Sequence, residues 1–268
     1  MPFAFGTPAD LAARIAAAAL QERLARTVLV DDQPGASAFA EVAAAPADGY
    51  TLLAIAMPIA VDPSRDFTAV GQITVTDYVL VAHRSMAAAS VSQLVASLKA
   101  EPGRYRFGSG GNGTLTHLAG ELFKRAAGID AQHVAYKQLG VAVGDLAVGR
   151  LQFMFLPTAP ALPHIKSGAL RPLAVTGPQR LEILKETPTM IEAGFADFVV
   201  RDWVGFVVRK GTPQPIIERL NAELARGLAD PDYRTQLGRM GTQVATGTPR
   251  AFDALLAAEV ERWGLQKR

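Results

Sequence analysis

The feature that most constrains this chain is its repeated exchange of short apolar runs with Ala-rich stretches of helical spacing. Thr27–Val30, Tyr50–Ala56, Tyr78–Ala82, His133–Tyr136, Leu151–Phe155, Leu170–Val175 and Trp203–Val208 read as strands. Leu11–Leu20, Val91–Ala100, Thr114–Ala127 and Val141–Val148 read as helices between them. Three closing helices, Pro215–Leu228, Pro231–Met240 and Pro249–Trp263, carry proline at or near the first turn, where a missing N–H costs no hydrogen bond. Strands that alternate with helices point to α/β architecture with mostly parallel sheets. A chain of 268 residues is one large domain or two small ones.

Charge and composition remove several function classes. Lys and Arg total 27 against 25 Asp and Glu, and they form no basic run, so nucleic acid is not an expected partner. The absence of cysteine excludes disulfides, thiolate metal sites and a cysteine nucleophile. The most apolar early stretch, Leu11–Leu20, is interrupted by Arg14 and is far short of the roughly 20 residues that cross a bilayer. No basic residue precedes it, so it lacks the layout of a secretory signal peptide and reads as an amphipathic helix.

The most informative local segment is Gly108-Ser109-Gly110-Gly111-Asn112-Gly113-Thr114, between a strand and a helix. Glycines let a backbone turn tightly and present its N–H groups, and a helix start adds unpaired amides and partial positive charge. Such a loop suits a carboxylate or phosphate. It also suits a plain tight turn with Thr114 as N-cap, and the segment alone leaves both readings open. Gly108, Gly110 and Gly113 satisfy G-x-G-x-x-G, but a dinucleotide fold places an acid at the end of the next strand. That strand ends at Tyr136-Lys137 and the acid, Asp130, precedes it, so the dinucleotide reading fails at its most discriminating position.

A second anion site is suggested at Gly6-Thr7, which leads into the first helix with Asp10 in its opening turn. Two helix starts, one from each half of the chain, could face each other across a cleft and hold a small anion with backbone donors alone. Catalytic patterns are weak. His83, His117, His133 and His164 show no i, i+4 metal spacing, and Phe107 stands where a nucleophile elbow before Ser109 needs glycine. Ser109 and His117 would form a dyad only through the accident of folding. His117 is expected to pack or hydrogen-bond locally, and no catalytic residue, metal or cofactor is assigned.

Motifs spread along the chain resemble the solute-binding receptors of tripartite tricarboxylate transporters, the Bug or TctC type. They include Pro2-Phe3 with Gly6, Asp10-Leu11-Ala12-Ala13-Arg14, Gln33-Pro34-Gly35-Ala36 and Asp48-Gly49-Tyr50-Thr51-Leu52-Leu53. The Gly108–Thr114 loop continues into His117-Leu118-Ala119-Gly120-Glu121-Leu122-Phe123, and His133-Val134, Tyr136-Lys137, Leu162–Gly168, Leu173–Thr176, Thr187-Pro188-Thr189 and Gly211-Thr212-Pro213 follow in order.

The resemblance implies a two-lobed periplasmic-binding-protein fold of type II-like, Venus-flytrap architecture, closing by a hinge over a small carboxylate. Lobe 1 would be residues 1–82 plus 206–268 and lobe 2 residues 83–205, with crossing strands near Tyr78–Ala82 and Trp203–Val208. The implied ligand residues are Phe5, Gly6, Thr7, Ser109, Gly110, Asn112 and Thr114, joined by Tyr136 and Asp202. The resemblance further implies a periplasmic monomer that is not an enzyme and whose partners are membrane transporter subunits.

The departures carry their own expectations. The family places an apolar strand before the Pro-Phe pair, where Met1 stands here, so lobe 1 is expected to lack its opening strand, leaving neighbouring backbone unpaired and a gap in the core. Leu156-Pro157 replaces an Asp-Asn pair common in the family, and Gln138 a usual glycine. A less polar distal pocket follows, hence a monocarboxylate or an acid with an apolar tail. The alternatives are an α/β enzyme on a small acid or ester using Ser109 or Tyr136, and a truncated, non-binding remnant.

Overall fold

The computed structural model describes residues 1–263 apart from 4, 6, 34 and 58–64. The chain divides into two compact units, Met1–Val75 with Trp203–Arg268, and Thr76–Asp202. It passes between them inside two strands, β2 (Phe67–His83) and β7 (Arg201–Arg209). The passages at Val75/Thr76 and Asp202/Trp203 fall earlier along the chain than the boundaries expected from the sequence.

In unit 1, β1 (Leu52–Ala56) pairs antiparallel with β7, in register Leu52↔Val208 to Ala56↔Val204. β7 lies between β1 and β2, and the short β8 (Gln243–Val244) pairs antiparallel with Thr74–Val75. α1 (Pro8–Leu24) buries its alanines Ala12, Ala13, Ala16 and Ala19 in a core shared with α7 (Gln214–Leu228) and α8 (Pro231–Arg239). Small side chains bring helix backbones close: a Cβ on Gly227 would stand 2.9 Å from the Ala19 methyl. α2 (Ala36–Ala44) and α9 (Pro249–Trp263) complete the described helices of this unit.

The expected strand at Thr27–Val30 does not form; the segment has no regular secondary structure and no ladder partner among the described residues. An apolar run becomes a strand only where a neighbour supplies hydrogen bonds, and Leu29 is left 87% exposed. Further on, Gln33 N donates to Met1 O at 3.0 Å and Gly35 N to Pro2 O at 3.4 Å, while the Met1 ammonium bonds Asp31 O. A groove of about 820 Å³ is lined by Val28 and Val30, by Leu52 and Ala54 of β1, and by Ala13 and Ala17 of α1.

In unit 2, the second half of β2 is flanked by β5 (Phe153–Pro157) and β6 (Leu170–Val175), both antiparallel to it. β3 (Arg106–Ser109) pairs parallel with β5 and with β4 (Gln132–Ala135). The sheets are therefore mixed and not mostly parallel as expected. The parallel order holds only where helices join successive strands, as α4 (Leu115–Ala127) joins β3 to β4 and α5 (Leu139–Ala147) joins β4 to β5. β2 runs against them.

α3 (Val91–Ala100) is capped by Ser90, whose hydroxyl accepts from Gln93 N at 3.2 Å. α6 (Thr158–Lys166) contains Pro163 and is missing from the sequence reading, because Pro157, Pro160 and Pro163 in seven residues read as loop. Pro160 lies in its first turn, where no N–H is required. The core of this unit is aromatic: Phe123 meets Phe153, Phe155, Phe195 and Phe198 edge-on or tilted at 5.6–6.3 Å.

Candidate functional site

The Gly108–Thr114 segment occupies the place foreseen for it, at the end of β3 and ahead of α4. Gly111 and Gly113 hold φ of 128° and 78°, a region that L side chains rarely adopt, so glycine is required at both turns. Thr114 occupies the N-cap position with extended backbone, but its side chain makes no cap bond. Its hydroxyl donates instead to Gly111 O at 2.7 Å and lies 2.9 Å from Thr116 Oγ1, so the plain N-cap account of this threonine fails.

The loop is cross-braced by side chains. Gly110 N donates to Thr116 Oγ1 at 3.0 Å, Gly111 N to Ser109 Oγ at 3.1 Å and Gly113 N to His117 Nδ1 at 3.1 Å. The expectation that the glycine amides all point outward is thereby corrected: these are satisfied within the loop, because buried or crowded N–H groups take the nearest acceptor. The N–H groups of Asn112 and of Leu115 and Thr116, the first turn of α4, have no partner among the described residues. This is the usual state of a helix start. The unpartnered donors of this loop are thus Asn112, which is exposed, and the opening turn of α4, where Leu115 and Thr116 are buried, with the dipole behind them.

Ser109 is fully buried and its hydroxyl lies 2.7 Å from His133 Nε2 on β4. The His133 ring stacks on His117 at 4.1 Å with a 24° tilt, and its other neighbour is Phe107 at 4.9 Å. The imidazole beside Ser109 is therefore His133 and not the His117 weighed from sequence, which bonds locally as expected. Burial is the main cause that lowers the His133 pKa, followed by the neighbouring His117. The Ser109–His133 pair alone is not a hydrolytic site: the serine is enclosed, and its oxygen already accepts from Gly111 N.

Tyr136 is held next to the loop by its backbone, its N–H donating to Ser109 O at 3.1 Å. Its hydroxyl donates to Asp145 Oδ2 of α5 at 2.8 Å; burial and that bond push the phenol upward, and the same bond holds the Asp145 carboxyl low. Ser109, Gly110, Asn112, Thr114 and Tyr136 therefore form one cluster in unit 2.

Asp202 sits elsewhere in unit 2, at the start of β7; burial, and after it the Asp202 charge, raises the Tyr78 phenol well above its ordinary range. Beside it lies a polar cluster that sequence reasoning missed. Arg201 grips Asp77 with two bonds, Nε to Oδ1 at 2.5 Å and Nη2 to Oδ2 at 3.0 Å, and Asp77 is 6% exposed. Thr158 Oγ1 donates to Asp77 O at 2.7 Å, and Thr176 Oγ1 accepts from Tyr78 N at 3.0 Å. The available signal was a lone acid, Asp77, inside the long apolar strand β2.

In unit 1, Thr7 is the N-cap of α1, its hydroxyl accepting from Asp10 N at 3.3 Å. Asp10 is fully buried and pairs with Arg14 at 2.9 Å, and Arg14 in turn reaches Asp32. The Arg14 guanidinium also lies 5.2 Å from the exposed ring of Phe5. Gly6 lies outside the described residues. Among the described residues no group of three or more metal-ligating side chains occurs, and no helix is long and apolar enough to cross a membrane.

Comparison with known proteins fits this geometry. The model of the tripartite tricarboxylate transporter family receptors matches residues 12–266. The BugT protein of Bordetella pertussis is 31% identical, over 98% of this chain and 85% of its own length. A TctC solute-binding protein from Polaromonas superimposes with a TM-score of 0.89 at 25% identity, covering 98% of this chain and 95% of that one. An R. palustris protein solved with adipate gives a TM-score of 0.76 at 31% identity, covering 98% and 93%. The fold is that of the periplasmic binding proteins.

Proposed function

The chain belongs to the tripartite tricarboxylate transporter receptor family, and on that premise we propose that it captures a small carboxylate outside the cytoplasm and hands it to the membrane subunits of such a transporter. The observation that carries the carboxylate is the donor set of unit 2: the unpartnered amides of Asn112 and of Leu115 and Thr116, the last two opening a thirteen-residue helix, with no charged side chain from Gly108 to Thr114. Neutral dipoles fixed in this way bind an anion without the desolvation cost of a buried cation. Tyr136 and Asp202 in the same unit, and Phe5, Gly6 and Thr7 of the other, complete the proposed contact set, which the family resemblance supports. Adipate, carried by the R. palustris relative, belongs to the proposed class. The family resemblance implies an Asp-Asn pair where Leu156-Pro157 stand, which favours an acid whose far end is apolar; Leu156 itself is fully buried in the apolar core of unit 2.

A thermal-shift screen of short dicarboxylates against monocarboxylates with apolar tails tests this reading, since a ligand raises the melting point by binding the native form. Stabilisation by tailed acids supports it, and preference for short dicarboxylates contradicts the distal part. Consumption of the acid during binding would favour an enzyme instead.

A further inference from the structure

Both ends of the glycine loop are held by imidazoles. His133 Nε2 lies 2.7 Å from the buried Ser109 hydroxyl at the loop's start. His117 Nδ1 accepts from Gly113 N at 3.1 Å at its end, so that nitrogen carries no proton and the ring's proton is on Nε2. The two rings stack at 4.1 Å. We propose that His117 and His133 are a coupled pair of positioning residues that set the donor geometry of this loop and link ligand affinity to one proton. The proposal rests on the reading that the loop binds a carboxylate.

The two imidazoles are not equivalent. A proton on His117 Nδ1 opposes Gly113 N–H donor to donor and releases the end of the loop. A proton on His133 keeps the start of the loop intact: Nε2–H donates to Ser109 Oγ, and the serine hydroxyl proton turns to Gly111 O, 3.2 Å away. Like charges in face-to-face contact repel, and the neighbouring His117 accordingly opposes a proton on His133. The charged groups that face His133 are Glu121, which favours its proton, and Lys124, which opposes it, both on α4. β3 presents Phe107 and Ser109, both uncharged, to the ring. A carboxylate at the adjacent amides adds negative charge and draws the first proton onto His133, so binding is accompanied by proton uptake.

The test has two arms. In the ligand-free protein, nitrogen-detected NMR of the imidazoles is expected to show His117 as the Nε2–H tautomer, with the Gly113 amide resonance displaced in His117→Ala. A His117 ring with its proton on Nδ1, or a Gly113 amide unmoved in His117→Ala, overturns the positioning claim whether or not any ligand binds. In the second arm, calorimetry with adipate as probe is expected to give affinity about threefold or more tighter at pH 6.5 than at pH 8, with that dependence gone in His133→Gln. Equal pH dependence in both proteins overturns the proton linkage. Failure of adipate and of every other carboxylate to bind overturns the functional reading and the linkage together, and leaves the first arm to judge the positioning claim.

Discussion

Gly120 lets helix α4 lie directly on the ring of Phe107: a Cβ at position 120 would fall 2.1 Å from Phe107 Cε2. The ring has no room to retreat, being fully buried between His133 at 4.9 Å and Phe153 at 5.6 Å. Gly120→Ala is therefore expected to lose about 1–3 kcal/mol to overpacking, more than the roughly 1 kcal/mol that alanine returns in helix propensity. Urea unfolding measures the difference. An increase in stability would mean that α4 can lift from the sheet without strain.

The Asp77–Arg201 pair is expected to matter through its unpaired state. Asp77 is 6% exposed, and removing its guanidinium partner leaves a buried carboxylate uncompensated. Arg201→Met should cost about 3 kcal/mol, the low end for such a pair because the arginine keeps some solvent contact. Gly177→Ala tests the same site sterically, since its Cβ would meet Asp77 Oδ1 at 2.4 Å. Denaturation midpoints of both variants should fall, and wild-type values for both would show the pair to be idle.

Stability should fall on mild acidification. Burial lowers the His133 pKa in the folded protein, whereas in the unfolded chain it titrates near 6.5. The unfolded state therefore binds this proton first. The contribution is present above about pH 6.5 and is lost as pH drops below that value toward the folded pKa. His133→Gln is expected to flatten the melting-temperature profile between pH 7 and pH 5. An unchanged profile would assign the slope to other groups.

The groove in unit 1 should accept a strand. β1 stands at the sheet edge, and Met1 and Pro2 already accept from Gln33 and Gly35 at 3.0 and 3.4 Å. A five-residue alternating Val/Thr segment fused ahead of Met1 is expected to raise the melting temperature by burying apolar surface, at about 1.5–3 kcal/mol for each large side chain enclosed. The same segment with a central proline should not, because it cannot complete a ladder. Equal effects of both would show that the groove does not take an ordered strand.

The junction around the glycine loop was legible because its information is local. The glycine spacing from Gly108 to Gly113 needs only neighbouring residues to be read as a strand–turn–helix junction. The His133 brace of that loop and the separate Asp77–Arg201 pair were not legible, because His133 reaches Ser109 from 24 residues away and Asp77 meets Arg201 from 124. Thr27–Val30 misled for a related reason: its apolar pattern is that of a strand, but pairing is supplied by neighbours and not by the run itself. The first half of β2, from Phe67 to Thr76, escaped notice because Gly71, Gln72 and Thr74 interrupt its apolar character while pairing carries the strand through.

The most direct test follows the backbone amides of nitrogen-15-labelled protein during titration with adipate and with a tailed monocarboxylate. Saturable shifts are predicted to centre on Asn112, Leu115 and Thr116, where the loop meets α4. Saturable binding that leaves these three unmoved and shifts residues far from the loop would contradict the account.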